Sequence, residues 1–496
     1  MTRATHLLKL AAAALLLTAT ARPQSPVTIT IGARADKQPI PADFVGLSFE
    51  TSNLLPDKNG NYLFSAENKP LIKLFQAIGI KNIRVGGGTA DDPNYPDPKP
   101  ADIDRLFAFA SAAGVDVIYT VRLLNGNKAS AATTVSYIES HYANQVSAFQ
   151  IGNEPDWHSY HTALEHPRDP KIFETAADIP GTAYPSFIAD WNDFAAAINH
   201  AAPHAAFTGP DTGSNYPVPR ATKDTDYNGK SWTQQFADSE KGLRPISFVT
   251  QHDYVGEGAK GVSITEAVNA MLSREWISTN YRLLFDHVLG PVQAGGITYR
   301  MTECNDYTGG VDGASNAYAS ALWALDYMHW HASHHAAGVN FHNKRWIFTD
   351  TIYLDRDGTF RINPKAYGLK AFALGSHGAA QPLTIANPEG INLTAYAVRD
   401  KRMLFITIIN KEHGTNAPTV RAALVAQQVS GSGAEVMYLS APNGDVTARS
   451  GITLGGATID DSVWDGKWTP LALDHPRKIE VQVPAASAAI VRIPLK

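Results

Sequence analysis

The chain contains one cysteine, Cys304, in 496 residues. A lone thiol excludes an intramolecular disulfide framework and every multi-cysteine metal site, so stability has to come from packing. Charge is also sparse, at 18% of residues, with 42 Lys plus Arg against 47 Asp plus Glu and a net charge of −5. That balance excludes the dominant basic surface of a nucleic-acid binder. Past the N-terminal stretch no apolar run reaches the roughly 18 residues of a membrane span. Gly86-Gly87-Gly88 follows a strand-like run but lacks the G-x-G-x-x-G spacing of a dinucleotide fold, and its glycines read as a strand end needing close backbone approach. His329, His331, His334 and His335 crowd one helix end without an H-E-x-x-H motif, and Asp355 to Gly358 is too short for a calcium loop. We therefore expect neither a metal nor a cofactor.

Hydrophobic residues make up 44% of the chain, enough for a large core and far from the composition of disorder. Residues 1–24 carry Arg3 and Lys9, the apolar run Leu10 to Leu17 and the small-x-small Ala19-Thr20-Ala21. This is the pattern of a bacterial-type secretory signal peptide, and it implies an exported, periplasmic or secreted protein.

From residue 44 onward, short β-branched and aromatic runs alternate with segments of helical period, the signature of repeated βα units. Eight such runs are present: Phe44 to Glu50, Asn82 to Gly88, Val115 to Leu123, Ser147 to Pro155, Ala205 to Asp211, Ile246 to Val255, Ile297 to Asp306 and Gly338 to His342. Eight strands close a (β/α)8 TIM barrel, so the fold class is α/β with the barrel over 44–375. Helices are expected at Pro100 to Ala113 with a stop at Gly114, at Thr265 to Leu289 and at Ala314 to Ala337. After residue 375 the period becomes that of strands, among them Ile391 to Val398, Met403 to Ile409, Glu435 to Leu439 and Ile479 to Val483, with a turn at Arg399 to Arg402. We read 376–496 as a C-terminal all-β sandwich, and the strand Val27 to Ile31, within 25–43, as one that joins it.

Reacting groups in such barrels sit at the C-terminal ends of strands. Glycoside cleavage needs two carboxyl groups there, one to protonate the leaving oxygen and one to attack or to direct water. Two glutamates qualify, Glu154 in Ile151-Gly152-Asn153-Glu154-Pro155 at the fourth strand and Glu303 in Met301-Thr302-Glu303-Cys304-Asn305 at the seventh. Cys304, next to an inward Glu303, should point away from the barrel axis and pack.

Asn-Glu-Pro at a fourth strand with a glutamate at the seventh resembles the retaining glycoside hydrolases of clan A. Phe44 to Glu50, Ile83-Arg84-Val85-Gly86-Gly87, Gln150 to Asp156, Thr302 to Asn305 and Gly338 to His342 resemble family 79 within it, whose members include exo-β-glucuronidases and heparanase-like endo-β-glucuronidases. The resemblance implies that Glu154 is the general acid/base, Glu303 the nucleophile and Asn153 the residue holding the sugar 2-hydroxyl. It places Arg84, His252 and Tyr254 near the nucleophile, with Tyr254 bonded to Glu303. It makes Glu50 a sugar contact that accepts from a hydroxyl or is protonated. For a glucuronate carboxylate, Tyr307 is the first candidate donor, followed by Asn340 and His342. The loops 156–184 and 211–241 should wall the cleft, with Trp157, His158, Tyr216, Tyr227 and Trp232 as aromatic faces and Arg220, Lys223 and Lys230 as cations.

The expected activity is removal of terminal β-linked glucuronic acid from a carbohydrate substrate by double displacement. An endo-acting β-glucuronidase on acidic polysaccharide, another clan A β-glycosidase and a non-catalytic carbohydrate-binding scaffold stay open, as does the oligomeric state.

Overall fold

The structure is a computed structural model that describes residues 26–157, 183–213, 230–426, 433–459, 463–471, 473–475 and 478–495. The signal-peptide reading, and the loop residues His158, Tyr216, Arg220, Lys223 and Tyr227, lie outside the described residues. So does the side chain of Trp157.

The chain enters through β1 (Val27–Ile31) and then builds eight parallel staves: β2 (Val45–Glu50), β3 (Asn82–Gly86), β4 (Asp116–Val121), β5 (Val146–Ile151), β6 (Phe207–Thr212), β7 (Ile246–Tyr254), β8 (Tyr299–Asn305) and β9 (Gly338–His342). Each pairs with the next, and β9 returns to β2, so the barrel closes. Every one of the eight sequence runs supplies one stave. Alternate residues of each strand face opposite sides. Phe49, Val85, Tyr119, Phe149 and Phe341 lie in the large core shared with the helices, whereas Ile118, Ala148 and Phe248 form a small separate apolar cluster. Polar residues share that N-terminal end of the barrel. Arg300 Nη1 reaches Asp43 Oδ2 at 2.9 Å, its Nε donates to Asn340 Oδ1 at 2.8 Å, and Asn340 Nδ2 donates to Asn82 Oδ1 at 2.8 Å.

The helices begin and end where local chemistry demands it. Asn68 accepts from the Leu71 N–H to start Lys69–Ile78, and Gly79 at φ 94° closes it; Pro100 opens the next helix at its first turn and Gly114 at φ 73° ends it. The stretch expected as one helix from Thr265 to Leu289 is broken. A short α-helix, Ile264–Met271, is followed by π-helical turns at Trp276–Tyr281 and Phe285–Leu289. Ser273 Oγ accepts from Trp276 N at 3.2 Å, restarting the helical chain after the break. The helix Tyr318–Ser333 is buried from Tyr318 to Ala332 without interruption. A helix buried on all sides belongs between two layers, and here those layers are the barrel and the β domain.

That domain has two facing sheets. One has five strands in the order Leu383–Ala386, β1, Val420–Val425, Lys478–Val483 and Leu473–His475. The other runs Ala379–Gln381, Leu393–Arg399, Met403–Asn410, Ser487–Pro494, Glu435–Ser440 and Thr453–Leu454, with Thr469–Pro470 also paired to Glu435–Ser440. Ile406, Ile408, Ala489 and Val491 face the first sheet, while Ile409, Ala488 and Ile490 join the barrel's core. Where helix and sheet meet, Lys411 Nζ contacts Asp326 Oδ2 at 2.8 Å, and Thr394 and Tyr396 donate to Asp326 Oδ1 at 2.8 and 2.7 Å.

Candidate active site

A second set of polar residues gathers at the C-terminal ends of the barrel strands. Arg84, wholly buried on β3, is the hub. Its Nη1 donates to Glu303 Oε2 at 2.9 Å and to Ser48 Oγ at 3.1 Å, and its Nη2 donates to Asn153 Oδ1 at 2.5 Å and to Asp211 Oδ2. Gly86 leaves room for this guanidinium, since a Cβ there would lie 2.5 Å from Arg84 Cζ.

Two backbone devices aim Glu154 and Glu303. On β5 the chain turns through Gly152 at φ 81° and Glu154 at φ 46°. The turn is held by Asp91 Oδ2, which accepts from Asn153 N at 2.8 Å, and by the carbonyl of Asp211, which accepts from Glu154 N at 2.9 Å. Burial pushes the Asp91 carboxyl up to about 6, against three backbone N–H groups that it accepts. On β8 the pairing shifts register, His252 facing Glu303 after Gln251 faces Met301, with a second shift between Met301 and Cys304 on the β9 side. The bulge turns both Thr302 and Glu303 toward the cluster: Thr302 Oγ1 donates to Asp211 Oδ1 at 2.5 Å, and Tyr254 Oη donates to Glu303 Oε1 at 2.7 Å. Cys304 is buried on the other face, in the core.

One donor-type atom each from Glu154, His252 and Glu303 lie within 4.8 Å of one another. His252 bridges, with Nδ1 at 2.9 Å from Glu154 Oε1 and Nε2 at 2.9 Å from Asp211 Oδ1. Burial alone would lower its pKa, but the charges of Asp211 and Glu303 raise it to about 10. Such an imidazolium has no lone pair for a metal ion. Asp211 shows the converse: burial raises it, yet Arg84 and His252 hold it at about 2. Burial likewise opposes ionisation of Glu303, and His342, His252 and Arg84 outweigh it to keep the carboxylate below its ordinary range. Tyr254 is pushed well above 10 by burial and by Glu303, so it remains a donor.

Of the two readings offered for Glu50, acceptor or protonated acid, the structure fits the acceptor. It is not protonated, because His342, Arg345 and Thr89 overcome the burial that would raise it and hold it well below the usual carboxylate range. Its Oε2 accepts from Thr89 N and Oγ1, both at 2.7 Å, and its Oε1 pairs with Arg345 Nη1. Glu50 thus holds a cation at the cleft, with Gly87 making the space. Trp346 stands beside it, edge-on to Tyr254 and His342 with ring centroids 5.9 Å from each.

His342 belongs to the cluster, 3.5 Å from both Glu303 Oε2 and Glu50 Oε1. Asn340 does not. One layer deeper, it is committed to Asn82, Arg300 and the Leu47 carbonyl. Tyr307 is also elsewhere: its ring packs against Gly256 and Trp276, and its charged neighbours are Asp306 and Glu266, the wrong sign to share a carboxylate. Trp232 is buried against Tyr184 and Phe187, and Lys230 pairs with Asp238 at 2.5 Å. His329 and His331 are core residues whose burial lowers their pKa values, to about 3 for His329. The residues that the sequence did not single out are Asp211, Gln150, Asp91, Arg345 and Trp346.

Comparison with known proteins agrees with this architecture. A sequence model of the glycosyl hydrolase family 79 C-terminal beta domain matches residues 395–490. A β-glucuronidase of Aspergillus niger is 24% identical over 533 aligned positions, covering 92% of this chain and 91% of that protein. A 4-O-α-L-rhamnosyl-β-D-glucuronidase from Fusarium oxysporum superposes with TM-score 0.67 at 16% identity, over 93% of this chain and 99% of its own. The family 51 α-L-arabinofuranosidase AbfB of Bifidobacterium longum gives 0.64 at 13%, over 95% and 100%. At these identities the two structures speak for the fold alone. The β-domain match and the similarity to a β-glucuronidase along most of the chain identify a glycoside hydrolase that resembles family 79, its residues 395–490 matching that family's C-terminal beta domain.

Proposed function

We propose that the enzyme is an exo-acting retaining β-glucuronidase. The observation that carries the reaction type is the approach of Glu154 and Glu303, whose nearest oxygens lie within 4.8 Å. Retaining enzymes keep their carboxyls about 5 to 5.5 Å apart, whereas inverting ones need about 6.5 to 9.5 Å to admit water between them. Glu303, ionised and steadied by Tyr254 and Arg84, attacks the anomeric carbon as the C–O bond to the aglycone breaks. Glu154 gives its proton to the departing oxygen. Water then attacks the glycosyl-enzyme, Glu154 takes the water's proton, and glucuronic acid leaves with its configuration retained. Arg84 occupies the Asn153 carbonyl oxygen, so the amide Nδ2 is the group left to meet the sugar 2-hydroxyl.

Choice of a uronic acid is supported by the activity named for the Aspergillus niger relative and by Arg345. Arg345 is half-exposed, anchored by Glu50, and near enough to Glu303 for that charge to raise its own pKa. It is the cleft cation suited to the sugar carboxylate, the role that Tyr307 cannot fill. The test is hydrolysis of an aryl β-glucuronide followed by proton NMR. Initial release of the β-anomer, and its loss in Glu303→Gln, support the reading; initial release of the α-anomer, or near-wild-type turnover in the variant, overturns it. Exo action predicts monomeric uronic acid from an acidic oligosaccharide, and larger products would instead mean endo action.

A further inference from the structure

Outside the catalytic cleft, a groove of about 850 Å³ runs along the seam between barrel and β domain. Its walls are the start of the helix Lys69–Ile78, the hairpin of β10 (Ile352–Leu354) and β11 (Phe360–Ile362), and the β-domain segments 449–452 and 458–459. That helix follows β2 and the hairpin follows β9, so both stand at the end of the barrel where the catalytic residues are. One connection, 343–364, borders both sites: it presents Arg345 and Trp346 to the cleft and Tyr353, Phe360 and Arg361 to the groove.

The charged residues that line the groove are all basic. Lys69, Lys73, Arg361 and Arg449 line it, and none of the described lining residues is acidic. Arg361 is paired with Asp355 and Asp357, and Arg449 with Asp312. Lys69 and Lys73 form no ion pair among the described residues, and both are exposed. Their positions work against the helix. They lie one turn apart, where like charges repel, and they occupy the N-terminal turns, where the helix dipole favours acids and the first turn has none. Of the two, Lys69 has the charge of Glu67 near it. Tyr353 and Phe360, both part-buried, add the aromatic surface on which sugar rings stack.

We propose that this groove is a second carbohydrate-binding site that takes an acidic, uronate-bearing polysaccharide and keeps the chain near the cleft while its end is processed. Its choice of a sugar polymer rests on the glucuronidase reading above. The probe is native electrophoresis through gels containing a glucuronate-rich polysaccharide, or a neutral glucan as control, with Glu303→Gln as the parent so that the polymer survives. The parent should be retarded in the acidic gel alone, even with monomeric glucuronate added to fill the cleft. Lys69→Glu with Lys73→Glu should weaken retention by roughly two- to thirty-fold, the range for two exposed ion pairs. In the active enzyme the same changes should leave aryl β-glucuronide kcat/KM within two-fold and lower only the rate on polymer. Unchanged retention in the double variant, or retention abolished by monomeric glucuronate, overturns the proposal. If no aryl glucuronide is hydrolysed but retention still follows the two lysines, the groove stands and the catalytic reading falls.

Discussion

Replacing Asp211 by asparagine, a change that keeps the side chain's volume, tests whether charge organises the catalytic centre. Both carboxylate oxygens face donors only. Oδ2 accepts from Arg84 Nη2 and Gln150 Nε2, and Oδ1 accepts from Thr302 Oγ1 with His252 Nε2 2.9 Å away. Either orientation of an asparagine amide therefore sets an NH2 against donors and leaves two buried cations short of a counter-charge. Removing one member of a buried pair costs about 3 to 5 kcal/mol, and that loss is expected in urea unfolding near neutral pH. The pH dependence follows from linkage. His252, raised from 6.5 to about 10, contributes stability that is complete below 6.5 and lost as pH rises through about 10. Asp211, lowered from 3.8 to about 2, contributes stability that is present above 3.8 and lost as pH falls through about 2. The gap between wild type and variant should thus be widest from about pH 4 to 6.5 and narrow toward pH 10. A gap below about 1 kcal/mol, or one constant between pH 5 and 10, would refute the network as described.

Three further outcomes are expected. Tyr254→Phe deletes the 2.7 Å bond to Glu303 and should lower kcat roughly ten- to hundred-fold and cost about 1 to 3 kcal/mol in urea unfolding, the scale of a hydrogen bond to a charged group. Arg345→Gln should raise KM for an aryl β-glucuronide by a similar factor while leaving slow aryl β-glucoside hydrolysis unaffected; equal losses on both substrates would remove Arg345 from the specificity argument. Lys411→Met leaves Asp326 buried beside Tyr396 and Thr394 without its cation, and should destabilise the protein by about 3 to 5 kcal/mol in urea with kcat unchanged.

The barrel was legible because each stave is a compact apolar run, buried on both faces and separated by helical period, a signal that survives without any knowledge of partners. Glu154 and Glu303 were legible because Asn-Glu-Pro and Thr-Glu-Cys-Asn sit at strand ends. Asp211 ends a strand run too, but no motif marks it, and its donors come from β3, β5, β7 and β8. Arg345 follows Asn343 and Lys344 in what looks like an ordinary polar loop, and only its pairing with Glu50 across 295 residues gives it a role. Asn340 was misjudged by depth. Facing Gly46 in the register, it is one layer below His342, which faces Ser48. Tyr307 was chosen by distance along the chain from Glu303, which carries no information about which way a ring turns after a strand ends.

The strand β1 has a consequence for how the chain comes together. It lies between Leu383–Ala386, antiparallel, and Val420–Val425, parallel, with Val27 opposite Ala422. During synthesis this strand emerges before the whole barrel, yet neither of its neighbours exists until most of the chain has been made. Val27, Ile29 and Ile31 must wait with both edges unpaired and their apolar side chains uncovered. The β domain is therefore a clasp whose two halves leave the ribosome far apart in time, and loss of the strand Val420–Val425 would reach back to the start of the molecule by taking away the bed on which β1 lies.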